Sequence, residues 1–150
     1  MPERSFDSPV GRISVVEKDG AITRLYWGGP GNDDTALLRQ AGEQLSAYFA
    51  SELEVFDLPL RVEGSDFQRA VCAAMSAIPF GETRTYGEIA ADLNVPPQPV
   101  GQACGGNPIP IIIPCHRVLS ATGLGGFSGD GGVETKVALL RHEGAAGLLL

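Results

Sequence analysis

The stretch that decides the fold of the C-terminal half is Asn107-Pro108-Ile109-Pro110-Ile111-Ile112-Ile113-Pro114-Cys115-His116-Arg117-Val118. Its prolines restrict the backbone, and its consecutive isoleucines require burial. A cysteine, a histidine and an arginine follow this apolar run directly. Reactive and polar side chains are a costly way to end a buried segment. We therefore interpret Cys115 as a residue that the surrounding chain serves to hold in place.

Length and charge limit the class of protein. The chain has 150 residues and a formal net charge of −7, and this length suits one or two small domains. No apolar stretch is long enough to span a bilayer, and the first residues lack the apolar core of a signal peptide. We expect a cytoplasmic protein without a membrane partner. The acidic balance is unlike that of most nucleic-acid-binding domains, which carry a basic face.

The cysteines argue against two kinds of site. Cys72, Cys104 and Cys115 form an odd set without CxxC spacing, which disfavours a disulfide framework and a zinc site built on sulfur. Only His116 and His142 could add imidazole ligands. We expect no metal, and we interpret Cys72, which lies inside a predicted helix, as part of the core.

The N-terminal part, residues 1–62, is predicted to be a small α+β domain that serves packing. Residues 12–28 should form a β-hairpin, because β-branched and apolar residues flank a central Asp-Gly turn signal. A helix is expected over about 35–50, with Asp33 or Asp34 as its N-terminal cap. Nothing in this part has a catalytic pattern.

The C-terminal part, residues 63–150, is predicted to be mainly helical. Capping-box spacing occurs at Ser65 and again at Thr85, so a helix should begin at each. The helix after Thr85 should run to about Leu93. A further helix should follow a proline-rich break and end near Gly105.

Two short helices joined by a tight turn form a helix-turn-helix pattern. On its own this pattern indicates DNA binding only weakly, because ordinary helix pairs share it. A last helix is expected over about 133–143, with Val133, Val137 and Leu140 facing inward. The glycine-rich segment before it lacks P-loop spacing, so it is either a ligand-approaching loop or a surface connection.

Cys115 would act as a nucleophile only as a thiolate, which requires a nearby cation, base or helix N-terminus. His116 is the obvious candidate, but neighbouring side chains in an extended chain point to opposite faces. Contact would need a sharp bend or a bridging water. Glu143 is one candidate for the carboxylate that orients the imidazole. An inert buried cysteine remains the alternative.

Several motifs in order resemble one known family, the O6-alkylguanine-DNA alkyltransferases, also called methylated-DNA–protein-cysteine methyltransferases. The resemblance spans about residues 65–144 and rests on Thr85-Tyr86-Gly87-Glu88-Ile89-Ala90, Val100-Gly101-Gln102-Ala103, Asn107-Pro108, Pro114-Cys115-His116-Arg117-Val118, Gly125-Gly126-Phe127-Ser128-Gly129 and Lys136-Val137-Ala138-Leu139-Leu140-Arg141-His142-Glu143-Gly144.

The resemblance implies a reaction. Such proteins flip an alkylated guanine out of double-stranded DNA and transfer the alkyl group irreversibly to a cysteine, here Cys115, once per molecule and without a cofactor. It implies that His116 acts as a base through water, that Glu143 orients it, and that Asn107 holds the hinge before the site. Arg117 is expected to be a structural brace. A monomer is expected.

The resemblance also implies binding residues. Tyr86, Val118, Phe127 and Ser128 would contact the flipped nucleotide, with Val118 acting through its backbone. The residues expected to meet DNA lie on the second helix: Gln98, Val100, Gly101, Gln102 and Ala103.

Two positions depart from the family pattern. Gln98 stands where an arginine usually fills the gap left by the flipped base, and Phe127 replaces a tyrosine. With the acidic charge, these changes predict weak DNA affinity. Three other functions stay open: a lesion-binding module with little or no transfer, a thiol protein with another alkyl donor or a protein partner, and a cysteine hydrolase.

Overall fold

The computed structural model describes residues 1–127 and 129–145. The chain forms two compact units, one over Met1–Glu63 and one from Gly64 onward. The first unit is a sheet with one helix and the second is mainly helical, which confirms the predicted α+β class. None of the described helices is long and apolar enough to cross a membrane.

The first unit contains an antiparallel sheet in the order β1-β2-β3. Its strands are β1 (Glu3–Ser8), β2 (Gly11–Lys18) and β3 (Ala21–Trp27). The predicted hairpin is β2–β3, and its turn has positive φ at both Asp19 (51°) and Gly20 (78°), as a tight hairpin turn requires. Sequence analysis missed β1, because this half-exposed edge strand has no alternating apolar pattern.

Helix α1 (Ala36–Phe49) covers this sheet and was predicted, but its expected cap was wrong. Thr35 is the cap: its hydroxyl accepts the N–H of Leu38 at 3.1 Å. The carboxylate of Asp33 instead accepts a backbone N–H of β1, and that of Asp34 pairs with arginines. The buried face of the helix consists of Leu38, Ala41, Leu45 and Tyr48.

The second unit contains four helices among its described residues: α2 (Asp66–Ser76), α3 (Tyr86–Leu93), α4 (Pro97–Gly105) and α5 (Val133–His142). A short parallel pair, β4 (Arg84–Thr85) and β5 (Val118–Leu119), lies beside them. All four helices were predicted.

Helix α3 begins with a complete capping box. The N–H of Glu88 donates to the Thr85 hydroxyl at 3.1 Å, and the Glu88 carboxylate accepts the N–H of Thr85 at 2.8 Å. Helix α3 ends at Asn94, whose left-handed φ of 57° turns the chain into α4. Pro97 occupies the first position of α4, where its missing N–H costs nothing. The two helices pack together as the predicted helix-turn-helix.

The box at the start of α2 is only half formed. The Ser65 hydroxyl accepts the N–H of Gln68 at 3.0 Å. The Gln68 side chain, which the spacing predicted to return to Ser65, donates instead to the carbonyl of Ala103 at 2.8 Å. This bond joins α2 to α4, so a tertiary contact has replaced a local one.

Asn107 fixes the start of the isoleucine run. Its fully paired amide donates to the carbonyl of Ile113 at 2.8 Å and accepts the N–H of Ile109 at 3.0 Å. Both bonds are buried, so each is expensive to leave unmade. The chain between these contacts is thereby closed into a compact loop.

Inside that loop lies a strained γ-turn. The N–H of Ile112 donates to the carbonyl of Pro110 at 2.8 Å, and the central residue, Ile111, has a φ of 71°. Positive φ is rare for a β-branched residue, and this kind of γ-turn is rare and strained. Ile111 is nevertheless buried, so packing of its side chain holds the conformation.

The predicted inward face of α5 was partly wrong. Leu140 is buried as expected, but Val133 is 42 % exposed. The buried face includes Thr135, Lys136 and Leu139, which rotates it relative to the expected one. Hydropathy could not reveal this, because one of the fully buried side chains on the helix is that of a lysine.

Replacing Thr85 with alanine removes the hydroxyl that caps α3. We expect the free energy of unfolding to fall by about 1 kcal/mol, as measured by urea denaturation. Thr122→Ala, in an exposed turn, is the control and should change stability by less than about 0.5 kcal/mol. Equal effects of the two substitutions would show that the box contributes nothing.

Candidate active site

Cys115 lies at the start of a 3₁₀ turn, Cys115–Arg117, that follows the isoleucine run. The N–H of Cys115 donates to the carbonyl of Ile113 at 2.8 Å, and that of Val118 to the carbonyl of Cys115. The chain is therefore bent here, whereas an extended chain would send Cys115 and His116 to opposite faces. The side chain of Cys115 is only 6 % exposed.

That exposed fraction faces a cavity of about 430 Å³, a size typical of small-molecule sites. Its walls consist of Tyr86, Gly101, Cys104, Gly105, Cys115, Gly126 and Phe127. A Cβ added at Gly101, Gly105 or Gly126 would meet nothing within 4 Å. At these positions the missing side chains leave the cavity open.

His116 follows Cys115 in this turn and is fully buried. Its Nε2 lies 2.8 Å from a carboxylate oxygen of Glu143. An ionised carboxylate only accepts, so the ring hydrogen belongs on Nε2. Burial lowers the pKa of His116, which keeps the ring neutral. Nδ1 then carries a lone pair, and it has no hydrogen-bond partner among the described residues. This nitrogen is able to accept a proton.

Arg117 holds the same carboxylate. Its Nε and one terminal nitrogen donate to the two oxygens of Glu143 at 2.8 and 2.9 Å, and its other terminal nitrogen donates to the carbonyl of Ile78 at 2.6 Å. The guanidinium also lies 5.8 Å from the ring centre of Phe80. These contacts are those of a structural brace, as expected.

Burial is the largest influence on the Cys115 thiol and raises its pKa. Two groups act in the opposite direction: the side chain of Asn107, through a hydrogen bond, and the charge of Lys136. The resting residue is therefore a protonated thiol at neutral pH. His116 cannot supply a positive charge to it, because the imidazole is neutral.

Lys136 is the residue that sequence analysis missed. It is fully buried on α5, and its ammonium donates to the carbonyls of Val118 at 2.7 Å and Gly126 at 3.1 Å. Burial lowers its pKa to about 8. One feature of the sequence could have indicated its importance. The chain has only two lysines, and Lys136 falls on the helix face that was predicted to be apolar.

The substrate-binding residues expected from sequence lie in two places. Tyr86 and Phe127 line the cavity, together with Gly101. Val118 is fully buried next to the turn, and its carbonyl, already bonded to Lys136, has a second lone pair. Ser128 lies outside the described residues.

The expected DNA-binding residues of α4 differ in their exposure to solvent. Gln98 and Gln102 are exposed, and Gly101 is partly exposed. The side chains of Val100 and Ala103 are buried in the core. These two side chains are not accessible at the surface, and contact with DNA at the five positions stays a prediction.

Acidification should destabilise the protein through His116. Its pKa is lowered in the folded state, so the unfolded chain takes up a proton first, at about pH 6.5. The free energy of unfolding should therefore fall as pH drops through this value, by up to about 1.4 kcal/mol per pH unit. His116→Gln should reduce this slope in urea titrations. An unchanged slope in this variant would contradict the assignment.

Comparisons with known proteins agree with this geometry. Residues 66–145 match the family model of the 6-O-methylguanine DNA methyltransferase DNA-binding domain. Residues 1–62 match that of the ribonuclease-like domain of the same proteins.

Relatives match over nearly the whole chain. Methylated-DNA–protein-cysteine methyltransferases of Methanosarcina acetivorans and Mycolicibacterium paratuberculosis are 47 % and 41 % identical, each over 93 % of this chain and over 96 % and 90 % of their own.

Among solved structures, Mycobacterium tuberculosis OGT in complex with DNA is 42 % identical with a TM-score of 0.86, covering 96 % of this chain and 93 % of its own. The M. tuberculosis O6-methylguanine methyltransferase has a TM-score of 0.84 at 39 % identity, covering 99 % and 96 %. By sequence and by fold, the chain belongs to the methylated-DNA–protein-cysteine methyltransferase family.

Proposed function

We propose that this protein repairs DNA by moving the alkyl group of an O6-alkylguanine onto the sulfur of its own Cys115. The observation that carries the proposal is the position of this thiol on the wall of a cavity, in the same turn as a neutral histidine held by Glu143. Helix α4, the second helix of the helix-turn-helix, forms part of the same wall through Gly101 and Gly105.

A guanine stacked inside a duplex could not reach a thiol that is 6 % exposed at a cavity wall. The damaged nucleotide therefore has to leave the stack and enter the cavity before reaction. Tyr86 and Phe127 offer aromatic surfaces against which the extruded base can pack. The partner is accordingly double-stranded DNA that carries an alkylated guanine.

The transfer itself is a displacement at the alkyl carbon. The thiol of Cys115 loses its proton, through a water, to Nδ1 of His116, and the thiolate attacks the carbon. A sulfur–carbon bond forms while the carbon–oxygen bond to O6 breaks. The bonding electrons leave with guanine, which takes up a proton, so the net change exchanges alkyl group for hydrogen. A thioether does not hydrolyse, so each molecule acts once and no cofactor is needed.

Other residues support this reaction. Asn107 holds the loop before the nucleophile and hydrogen-bonds the thiol. The backbone carbonyls of Cys115 and Val118 would accept hydrogen bonds from the guanine, and Ser128 would lie near its O6, by analogy with the family. We further propose that the protein works as a monomer in the cytoplasm.

Gln98 is proposed to fill the gap that the flipped base leaves. It is exposed in the first turn of α4. No lysine or arginine occurs between Thr85 and Cys115, and Arg84 just before them is paired with Asp92 at 2.7 Å. Few cations remain to displace counterions from DNA, so binding should be weak and its dependence on salt shallow.

The proposal predicts the mass of the protein after it meets damaged DNA. Incubation with a duplex that contains O6-methylguanine should add one methyl group in place of one hydrogen, located on Cys115 by peptide mapping. Cys115→Ser should gain nothing. Tight and lesion-specific binding without any mass gain would replace the proposal with a lesion-binding module.

Gln98→Arg should bind the lesion duplex several-fold more tightly and transfer the methyl group faster at sub-saturating DNA, because it adds a cation where the helix meets DNA. Single-turnover rates and their salt dependence measure this. Gln40→Arg on α1 adds the same charge in the other unit and should change little. Equal gains in both variants would mean that net charge, and not position 98, limits binding.

A further inference from the structure

We propose that Lys136 is a positioning residue for the transfer reaction: its ammonium clamps two walls of the cavity together and provides the positive charge that stabilises the Cys115 thiolate. This inference rests on the proposed role of Cys115 as alkyl acceptor. It concerns a residue on α5, remote in sequence from the nucleophile and outside the Cys115–His116–Glu143 set.

The clamp is visible in the donor geometry. One bond goes to the carbonyl of Val118, at 2.7 Å, directly after the turn that bears Cys115. Another goes to the carbonyl of Gly126, at 3.1 Å, in the glycine-rich segment that lines the cavity. The ammonium also lies 5.9 Å from the ring centre of Tyr86, within the range of cation–π attraction. One cation thus contacts two residues of the cavity wall, Tyr86 and Gly126, and the residue that follows the turn bearing Cys115.

No carboxylate of the described part of the chain pairs with this charge. Among the described residues Lys136 forms no ion pair, and the groups that favour its charged form are the thiols of Cys115 and Cys104. Burying a lysine without a counter-charge is costly. Side chains with such costs concentrate at functional sites. The counter-charge that Lys136 lacks would appear when Cys115 loses its proton.

The other cations around Cys115 cannot take this role. His116 is neutral, since burial lowers its pKa and the charge of Lys136 lowers it further. The guanidinium of Arg117 is already paired with both oxygens of Glu143. Lys136 is the remaining cation, and it does act on the thiol: its charge lowers the pKa of Cys115 against the effect of burial.

Cys104 helps to separate charge from access. Its thiol lines the same cavity, and burial raises its pKa to about 12. A reagent therefore reaches both thiols, those of Cys104 and Cys115, through the same cavity. The charge of Lys136 lowers the pKa of Cys104 as well. Loss of that charge should therefore slow both thiols, whereas opening of the cavity should make both react faster.

The test measures thiol chemistry without DNA. Cys115 in the full-length protein is alkylated with iodoacetamide from about pH 6 to 9, and peptide mass spectrometry follows each cysteine separately. Lys136→Gln keeps a donor for the carbonyls but removes the charge. We expect its rate–pH curve to move to higher pH, so that Cys115 reacts roughly tenfold more slowly at pH 7 for one unit of pKa change. Lys18→Gln, at the chain's other lysine, should leave the profile unchanged.

A Cys115 profile in Lys136→Gln identical to that of the unsubstituted protein would overturn the inference. Lys136→Arg keeps the charge and should restore the profile; an arginine variant as slow as the glutamine variant would also overturn it. Should Lys136→Gln unfold, buried Cys72 would react rapidly, and the arginine comparison decides alone. The proposed function is tested separately: it would be refuted if the wild-type protein accepted no methyl group from O6-methylguanine DNA. The iodoacetamide experiment does not depend on that result, because the reagent alkylates the Cys115 thiol directly.

Discussion

The carboxylate of Glu143 is the interaction on which the catalytic half of the molecule depends. It accepts hydrogen bonds from Arg117 and His116 out of contact with water, at the C-terminal end of α5. Through Arg117 the same network reaches the carbonyl of Ile78, just beyond α2. Removing one partner of such a buried group costs about 3–5 kcal/mol. One anion thus joins two helices to the turn and sets the tautomer of the histidine.

Burial of the site excludes water, but it also opposes the ionisation that makes a thiol reactive. Burial favours the neutral thiol of Cys115 and the neutral ring of His116. A neutral ring is what a base requires, whereas a neutral thiol is a poor nucleophile. The side chains of Asn107 and Lys136 partly offset the effect of burial on the sulfur. The resting protein therefore holds Cys115 as a protonated thiol, and ionisation belongs to the proposed reaction.

Local signals in the sequence predicted the local structure. Helix α3 was located because Thr85 and Glu88 cap it with neighbouring backbone groups, and Asn94 ends it in a conformation that asparagine tolerates. The errors arose where distant groups compete. Asp33 binds β1 instead of capping α1, and Gln68 binds Ala103 instead of returning to Ser65. Lys136 satisfies its ammonium on carbonyls ten and eighteen residues away. Likewise, the residues alone made Glu143 one candidate partner of His116, and the family resemblance turned this candidate into an expectation.

The γ-turn at Ile111 has a consequence for how reactivity is lost. A φ of 71° in a buried isoleucine stores strain of about 1–3 kcal/mol. The packing of the surrounding core holds it, together with the Asn107 hydrogen bonds that close the loop. The thiol lies four residues further along the chain. Loosening of the core would let this turn relax toward an ordinary conformation and carry the sulfur away from the cavity while the helices are still formed. Chemical competence at Cys115 is therefore a more sensitive gauge of core integrity than helical content, and heat or denaturant should abolish the first before the second.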